Sequence, residues 1–191
     1  LSAPAALCPK PMKKRLPLLA LFVVLAGLAL WLWSINTTNT LAGPLTEFAV
    51  PDTTAVDRIF IADKGGGTAD LRRTPEGWTV NGLPAKDFQV DLLLKTFKLV
   101  ELKTPVPRSA QENVLRVMAG TARKVEIYQG GSRPVKIWWV GQSSADHFGT
   151  YMVLEIPGKG KSSVPFIMGM SGFTGVLNTR FTTDLDGWRS S

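Results

Sequence analysis

The most uniform apolar pattern in the chain covers residues 16–33, LPLLALFVVLAGLALWLW, which contain no charged side chain. A helix of this length, at about 1.5 Å of rise per residue, is roughly 27 Å long and matches the ~30 Å hydrocarbon core of a bilayer. The pattern therefore predicts a single transmembrane helix over residues 16–33.

The residues on either side of this apolar run predict its orientation. Basic residues precede it as a topology signal: Lys10, Lys13, Lys14 and Arg15. Two tryptophans, whose indole rings favour the membrane interface as anchors, close it: Trp31 and Trp33. Because positively charged flanks stay inside, residues 1–15 are expected in the cytoplasm. The rest of the chain is expected on the periplasmic side of a bacterial inner membrane, with the lipid bilayer as a partner.

A cleavable signal peptide is the alternative interpretation of the same run. The run is longer than the ~7–15 apolar residues usual in such peptides, and the segment after it, SINT over residues 34–37, lacks a small-residue cleavage site. These two features favour an uncleaved anchor. The sequence MKKR from Met12 is typical of the start of a signal anchor, so residues 1–11 are interpreted as an upstream extension.

Beyond the anchor, a small and polar segment over residues 34–46 predicts a linker, and residues 47–191 are expected to form the exported domain. Alternating apolar positions bounded by Gly-rich or Pro-containing turns predict seven strands. They cover residues 56–62, 68–73, 78–81, 123–128, 134–141, 150–156 and 165–168.

Two helices interrupt the strands. In the first, Asp87 is expected to cap a single apolar stripe: Val90, Leu93, Leu94, Phe97 and Val100. In the second, the capping-box pattern SAQE over residues 109–112 precedes three inward positions: Val114, Leu115 and Met118. Gly120 is expected to end this second helix. Strands, then helices, then strands without βαβ alternation predict an α+β domain with a largely antiparallel sheet and two helices.

Composition and charge narrow the classes of function. One Cys and one His cannot supply a four-ligand zinc site, and no metal or cofactor is expected. The formal charge of +7 is concentrated at the N-terminus, because four basic residues and no acidic residue precede residue 34. The remaining 18 basic and 15 acidic residues are interspersed and leave only +3. Nucleic acid is therefore not an expected partner.

Two patterns resemble nucleophile or phosphate motifs without completing them. His147 follows Asp146, but neighbours in sequence rarely orient as a catalytic pair, and GMSGF over residues 169–173 lacks the final glycine of a G-x-S-x-G elbow. GKGKSS over residues 158–163 lacks the first glycine of a phosphate-binding loop, since Glu155 stands there. This second segment predicts a solvated hairpin tip.

A carboxylate pair is the remaining catalytic pattern, because two acidic residues suffice for glycoside hydrolysis. Asp184 and Asp186 are close in sequence, but alternate residues of an extended segment point to opposite sides. The DLDGW segment is therefore interpreted as a turn before Trp188, and no catalytic residue is assigned.

The aromatic pair Trp138-Trp139 suggests binding instead. If this segment is a strand, one indole enters the core and the other lies on the outer face, where Lys136 could accompany it. An outward indole can stack on a sugar ring or contact a partner protein, although a helix of the same domain often covers it. Trp138, Trp139 and Lys136 are thus the candidate ligand or partner contacts.

Several segments taken together resemble one family: VDRIFI from Val56, GWTVNG from Gly77, Leu93-Leu94, and the end of the chain with GFTG from Gly172, Arg180-Phe181, Asp184 and Trp188-Arg189. Their order and spacing over residues 47–190 resemble the bacterial domain-of-unknown-function family 4340. The resemblance implies one N-terminal transmembrane helix, a link to auxiliary components of ABC-type transport systems, and no established catalytic residue. Members usually continue beyond the Trp-Arg segment, whereas this sequence ends at Ser191.

These observations predict a non-enzymatic, single-pass inner-membrane protein. Its α+β domain is expected to serve as an accessory or interaction module of a cell-envelope transport or secretion assembly, with other envelope membrane proteins as partners. The alternative is an envelope glycan-binding domain that uses an exposed Trp138 or Trp139. A hydrolase that joins His147 to Asp184 or Asp186 is the third choice.

Overall fold

The computed structural model describes residues 21–30 and 45–190. Residues 21–30 are helical (α1), and among the described residues no helix is both long and apolar enough to cross a membrane. The predicted transmembrane helix extends beyond α1 at both ends. Its flanking residues lie outside the described part of the chain: Lys10, Lys13, Lys14, Arg15, Trp31 and Trp33.

Residues 45–190 belong to one compact unit built on a ten-stranded sheet. The strands are β1 (Arg58–Ala62), β2 (Thr68–Thr74), β3 (Gly77–Val80), β4 (Leu83–Pro84), β5 (Val100–Pro105), β6 (Arg123–Tyr128), β7 (Lys136–Ser143), β8 (Thr150–Ile156), β9 (Gly160–Lys161) and β10 (Phe166–Met170). Their order is β4-β3-β2-β1-β6-β7-β8-β10-β5, with β9 paired to β8. Every pairing is antiparallel, which confirms the predicted α+β class with a largely antiparallel sheet.

Three helices accompany the sheet: α2 (Asp87–Leu99), α3 (Arg108–Thr121) and the short α4 (Leu185–Trp188). A 3-10 turn covers Asn178–Arg180. The two longer helices are the two that the sequence predicts. Their apolar stripes are buried as expected, with Val90, Leu93 and Phe97 inward on α2 and Val114 and Met118 inward on α3.

The two longer helices cover opposite faces of the sheet. On the face covered by α2, which we call the inner face, strand residues such as Ile59, Val125 and Leu154 join one large apolar core with Phe97. On the other face, which we call the outer face, Met118 of α3 packs in a smaller separate cluster. Because successive strand residues point to opposite faces, each central strand contributes to both layers.

The helix ends differ from the sequence prediction. Lys86 takes the cap position of α2, and Asp87 is its first helical residue, where a carboxylate still favours the helix dipole. Pro107, not Ser109, precedes α3, and its fixed φ suits a helix start without a side-chain cap. Gly120 lies inside α3 and does not end it.

Strand β5 is the largest element that sequence reasoning missed. The periodic stripe predicts Val100 at the end of a helix, whereas the chain enters β5 at that residue. Five of its six residues are exposed, so no alternation of apolar positions marks it as a strand. It is held by pairing with β10, where Val100 lies opposite Met170, and such long-range pairing leaves no local signal.

Candidate binding site around Trp139

The two adjacent tryptophans of β7 point to opposite faces of the sheet. Trp138 is 0 % exposed in the inner core, whereas Trp139 is half-buried on the outer face beside α3. The predicted alternation of the pair is therefore confirmed. It follows directly from the two-residue period of a strand.

Trp138 is a core residue and cannot contact a ligand in this conformation. Three aromatic rings surround its indole, at centroid distances of 5.0 Å for Phe97 and 6.1 Å for both Phe48 and Phe181. The Phe97 and Phe181 contacts are edge-to-face, an arrangement that favours aromatic pairs. The candidate role of Trp138 in binding is therefore wrong for this structure.

Lys136 lies on the inner side with Trp138, because the two residues share the parity of the strand. Its ammonium donates hydrogen bonds to the carbonyl oxygens of Glu47 and, at 2.6 Å, Ala49. Burial lowers the pKa of Lys136. Lys136 thus fastens the segment before β1 to the sheet and does not accompany the outward indole.

Three ammonium groups surround the remaining candidate, Trp139. The Nζ atoms of Lys161, Lys124 and Lys64 lie 3.8, 5.7 and 5.9 Å from the centroid of its indole ring. The indole Nε1 donates a 2.8 Å hydrogen bond to Glu155 Oε2. Cations within about 6 Å of an indole are attracted to its π face, so Trp139 organises this lysine cluster.

The sheet register brings these residues together. Lys124 of β6 lies directly opposite Trp139 of β7, and Lys161 of β9 lies opposite Glu155 of β8. Lys64 comes from the turn that follows β1. Four strands and a turn, separated by up to about a hundred residues in sequence, thus converge on one ring.

Lys161 is the residue whose role sequence reasoning missed. The GKGKSS segment is a hairpin tip as predicted, since Gly158 and Gly160 have φ of +85° and +95°, which favours glycine. However, only Lys159 projects from the tip as a simple solvated charge, while Lys161 folds back over Trp139. The pairing of β9 with β8 places the Lys161 side chain on the outer face and brings it next to the indole ring of Trp139.

A cavity of about 220 Å³ opens beside this cluster. One side is apolar and is formed by Leu115, Met118 and Ala119 of α3, by Ala122 directly after the helix, and by Val153 of β8. The other side is formed by Trp139, Lys64 and Lys161. The cavity therefore combines an apolar wall with a cationic rim.

The electrostatics of the cluster are asymmetric. Desolvation lowers the pKa of Lys161 although the residue as a whole is exposed, and the charges of Lys64 and Lys124 lower it further against the opposing effect of Glu155. Lys124 has its own carboxylate partner, Glu126, at 2.7 Å. Lys161 is thus a cation that an added anion would stabilise.

Asp146 and His147, which the sequence offers as catalytic candidates, lie in a loop that Asp146 stabilises. Asp146 Oδ1 accepts hydrogen bonds from the Ser144 hydroxyl and, at 3.1 Å, from the Phe148 N–H, and the Ser144 bond holds the pKa of Asp146 below its usual range. His147 is exposed, with φ of +58°. The Asp146 carboxylate is therefore committed to its own loop and does not orient the imidazole.

The carboxylates near the end of the chain also have separate local partners. Asp184 caps α4 by accepting from the Asp186 N–H at 3.2 Å, and Asp186 lies 3.8 Å from Arg189. The predicted turn before Trp188 is thus a one-turn helix. Over residues 45–190 and 21–30, no group of three His, Cys, Asp or Glu side chains is placed to hold a metal ion.

Comparison with known proteins adds no relative to this description. No protein-family model, no curated protein and no solved structure matches the chain. The resemblance to the domain-of-unknown-function family 4340 therefore stays a prediction. The structure itself shows an antiparallel α+β domain in which three lysines surround Trp139.

Proposed function

We propose that this chain is a non-enzymatic, single-pass membrane-anchored interaction module of a cell-envelope transport or secretion assembly. Residues 16–33 form the anchor, and the α+β domain lies on the extracytoplasmic side. The observation that carries the interaction role is the open part of the outer sheet face, where charged and aromatic side chains are held in fixed positions.

The open surface is formed by outward residues of β1, β2 and β6 beyond α3. They are Arg58, Phe60, Asp70, Arg72, Lys124 and Glu126. Asp70 joins two cations, with Arg58 Nε at 2.7 Å and Arg72 Nη2 at 2.9 Å. Burial and these arginines act on it in opposite directions, and the net effect keeps the pKa of Asp70 below its usual value. A partner would meet a preorganised charged surface and would not need to order these side chains.

Phe60 lies within the same surface, and the buried Tyr128 lies beneath it. The Arg58 guanidinium stands 4.9 Å from the ring centroid of Tyr128 and 5.6 Å from that of Phe60. Arginine and aromatic residues such as phenylalanine are enriched in protein interfaces, where they contribute contact area. The composition of this surface therefore favours a protein partner with complementary charges.

The anchor is supported by α1. Its apolar side chains remain largely exposed in the described chain, with Phe22 at 70 % and Val23 at 67 %. Contiguous exposed apolar surface is unfavourable in water and is typical of contacts with a membrane or a protein. The basic residues before it and the family resemblance support the same orientation and the transport context.

Fractionation of cells that express the full chain tests the anchor. Carbonate-washed membranes should retain the chain, and replacement of Leu21, Val24 and Leu28 by Lys should release it, because each charge costs about 2.5–3.5 kcal/mol at a helix centre. Replacement of the same residues by Ile is the matched control and should leave the chain in the membrane. Recovery of the unaltered chain in the soluble fraction would contradict the anchor.

Site-specific crosslinking in intact cells tests the interaction surface. A photo-crosslinking residue in place of Arg72 should capture an integral membrane protein of the envelope. The same residue in place of Lys98, which is exposed on α2 across the sheet, is the control. Equal capture from both positions, or a monomer without crosslinks from position 72, would count against the proposal.

The geometry disfavours the glycan and hydrolase alternatives. A sugar that stacked on Trp139 would have to displace the Lys161 ammonium 3.8 Å from the ring centroid, and Trp138 is buried. His147 and the two C-terminal aspartates do not line the cavity beside Trp139. The interaction module is therefore the function that we propose.

A further inference from the structure

The lysine cluster at Trp139 borders the open surface and shares Lys124 with it, but its other two lysines, Lys64 and Lys161, lie outside that surface. Within residues 45–190, the Nζ atoms of Lys64 and Lys161 donate no hydrogen bond and lie in no salt bridge. Each ammonium has three donors available, and both stand at the rim of the 220 Å³ cavity. Like charges gathered in this way repel one another unless an anion joins them.

The nearby carboxylates do not satisfy these two lysines. Glu126 accepts from the Tyr128 hydroxyl at 2.6 Å and pairs with Lys124, while Glu155 accepts from the Trp139 indole. Even if both carboxylates are counted, the three lysines leave a net positive charge in the cluster. The site is thus poised for an external oxyanion.

The shape and composition of the cavity define the ligand further. The apolar wall of α3, which includes Leu115 and Ala119, faces the cationic rim, so the cavity suits a molecule with one charged end and one apolar end. At 220 Å³ the cavity is smaller than the roughly 300–1,000 Å³ typical of pockets for drug-sized ligands, and it admits a head group with a few carbons.

The cations that surround the cavity are all lysines. Arginine recognises planar carboxylates through two parallel hydrogen bonds, whereas lysine binds phosphate oxygens as a point charge. We propose that this cavity binds a phosphoryl group carried on a short apolar stem. The phosphoryl oxygens bind between Lys64 and Lys161, and the stem packs against Leu115 and Ala119. A phospholipid head group and a small soluble phosphate ester share this chemistry.

Calorimetric titration of the full chain in detergent with butyl phosphate tests the site. The Lys64→Gln/Lys161→Gln variant should bind at least about tenfold more weakly, because charge-assisted hydrogen bonds are lost. Lys159→Gln, which removes the other lysine of the same hairpin tip, is the matched control and should stay within about twofold of the original chain. Equal weakening of binding by the double variant and by Lys159→Gln, or no binding by the original chain, would overturn the proposal.

A second variant tests the apolar wall without altering any charge. Ala119→Leu lies at an exposed position of α3 and should fill the cavity, so that butyl phosphate binds more weakly while inorganic phosphate is unaffected. Equal binding of butyl phosphate by this variant and the original chain would contradict the role of the stem.

Nanodiscs separate the two sources of the phosphoryl group. In phosphatidylcholine discs that contain phosphatidic acid, protection of Lys161 but not Lys159 from methylation identifies a lipid head group as ligand. Protection by soluble butyl phosphate alone identifies a small ester, and protection by neither overturns the site. The site does not require the proposed anchor or partner, so fractionation and crosslinking can fail while phosphoryl binding persists.

Discussion

Trp138 and Trp139 are consecutive residues of the same type in one strand, and the structure gives them opposite environments. Trp138 is enclosed by the rings of Phe48, Phe97 and Phe181. Trp139 is partly open, with ammonium groups around its ring and a hydrogen bond from its Nε1 to Glu155. The two-residue period of the strand places the two side chains on opposite faces, but the layer that covers each face determines how deeply each indole is buried.

The difference between the two faces lies in their covering layers. The inner face meets α2 and a group of aromatic residues from distant segments, which exclude water completely around Trp138. The outer face meets α3, where the small side chains of Ala119 and of Ala122, directly after the helix, leave a cavity beside Trp139. The complete packing on the inner face contributes to the stability of the fold, whereas the incomplete packing on the outer face leaves a cavity in which a ligand could bind.

Truncation of the two indoles should give the largest difference in unfolding free energy between the two faces. Trp138→Ala should lower the free energy of unfolding by about 3–5 kcal/mol, because the inner core cannot close over so large a void. Trp139→Ala should cost about 1–2 kcal/mol, since its ring is only partly buried and packs against the smaller outer cluster beside the lysine cluster. Urea unfolding of the domain in the full chain, followed by circular dichroism, measures both.

Trp138→Phe serves as the control for ring volume. Trp138 Nε1 has no hydrogen-bond partner in the described residues, so this replacement removes packing without breaking a hydrogen bond and should cost less than the alanine. Equal losses from Trp138→Ala and Trp139→Ala would show that the two faces do not differ in the way described.

Two glycine substitutions test how closely α3 packs on the outer face of the sheet. A Cβ at Gly141 of β7 would lie 2.8 Å from Met118 Cγ and 3.1 Å from the Tyr151 carbonyl oxygen, so Gly141→Ala should push α3 from the sheet and cost about 1–3 kcal/mol. At Gly120, inside α3, nothing lies within 4 Å of the added Cβ. Gly120→Ala should therefore stabilise the domain by about 0.5–1 kcal/mol.

The same urea experiment measures these two variants, each against the unaltered chain. Destabilisation by both would indicate that helix propensity at position 120 is overridden by contacts beyond those described. Tolerance of Gly141→Ala would mean that α3 is held less closely on β7 than the structure indicates.

The smallest expected effect concerns pH on the outer face. Burial, and then the hydrogen bond to Glu126, raises the pKa of Tyr128 from 10.0 to about 12. The folded state therefore keeps the phenol neutral between pH 10 and 12, whereas the unfolded state loses the proton. Stability from Tyr128 is complete below pH 10 and is lost as the pH rises to 12, by on the order of 1 kcal/mol.

Tyr128→Phe tests this dependence, because the variant cannot ionise at that position. The difference in unfolding free energy between the unaltered chain and the variant should shrink between pH 10 and 12. Absorbance of the ionised phenol at high pH gives an independent titration, in which the variant reports Tyr151 alone. A difference that stays constant across this range would contradict the raised pKa.

Sequence reasoning recovered the elements whose signals are local. The helical stripe of Val90, Leu93 and Phe97 is buried on α2, and the hairpin of β1 and β2 forms around the predicted Gly-rich turn. It could not recover β5, because a mostly exposed edge strand has no apolar alternation. It also could not distinguish the inner from the outer indole, since both orientations satisfy the same two-residue period.

The sequence by itself thus determined most of the strands, the two longer helices, the opposite orientation of Trp138 and Trp139, and the class of the fold, because backbone geometry makes these properties local. Only the tertiary structure decided that Lys64, Lys124 and Lys161 meet at one ring. Their meeting depends on which strands pair and in what register, and the energy of that pairing is realised only once distant segments have come together.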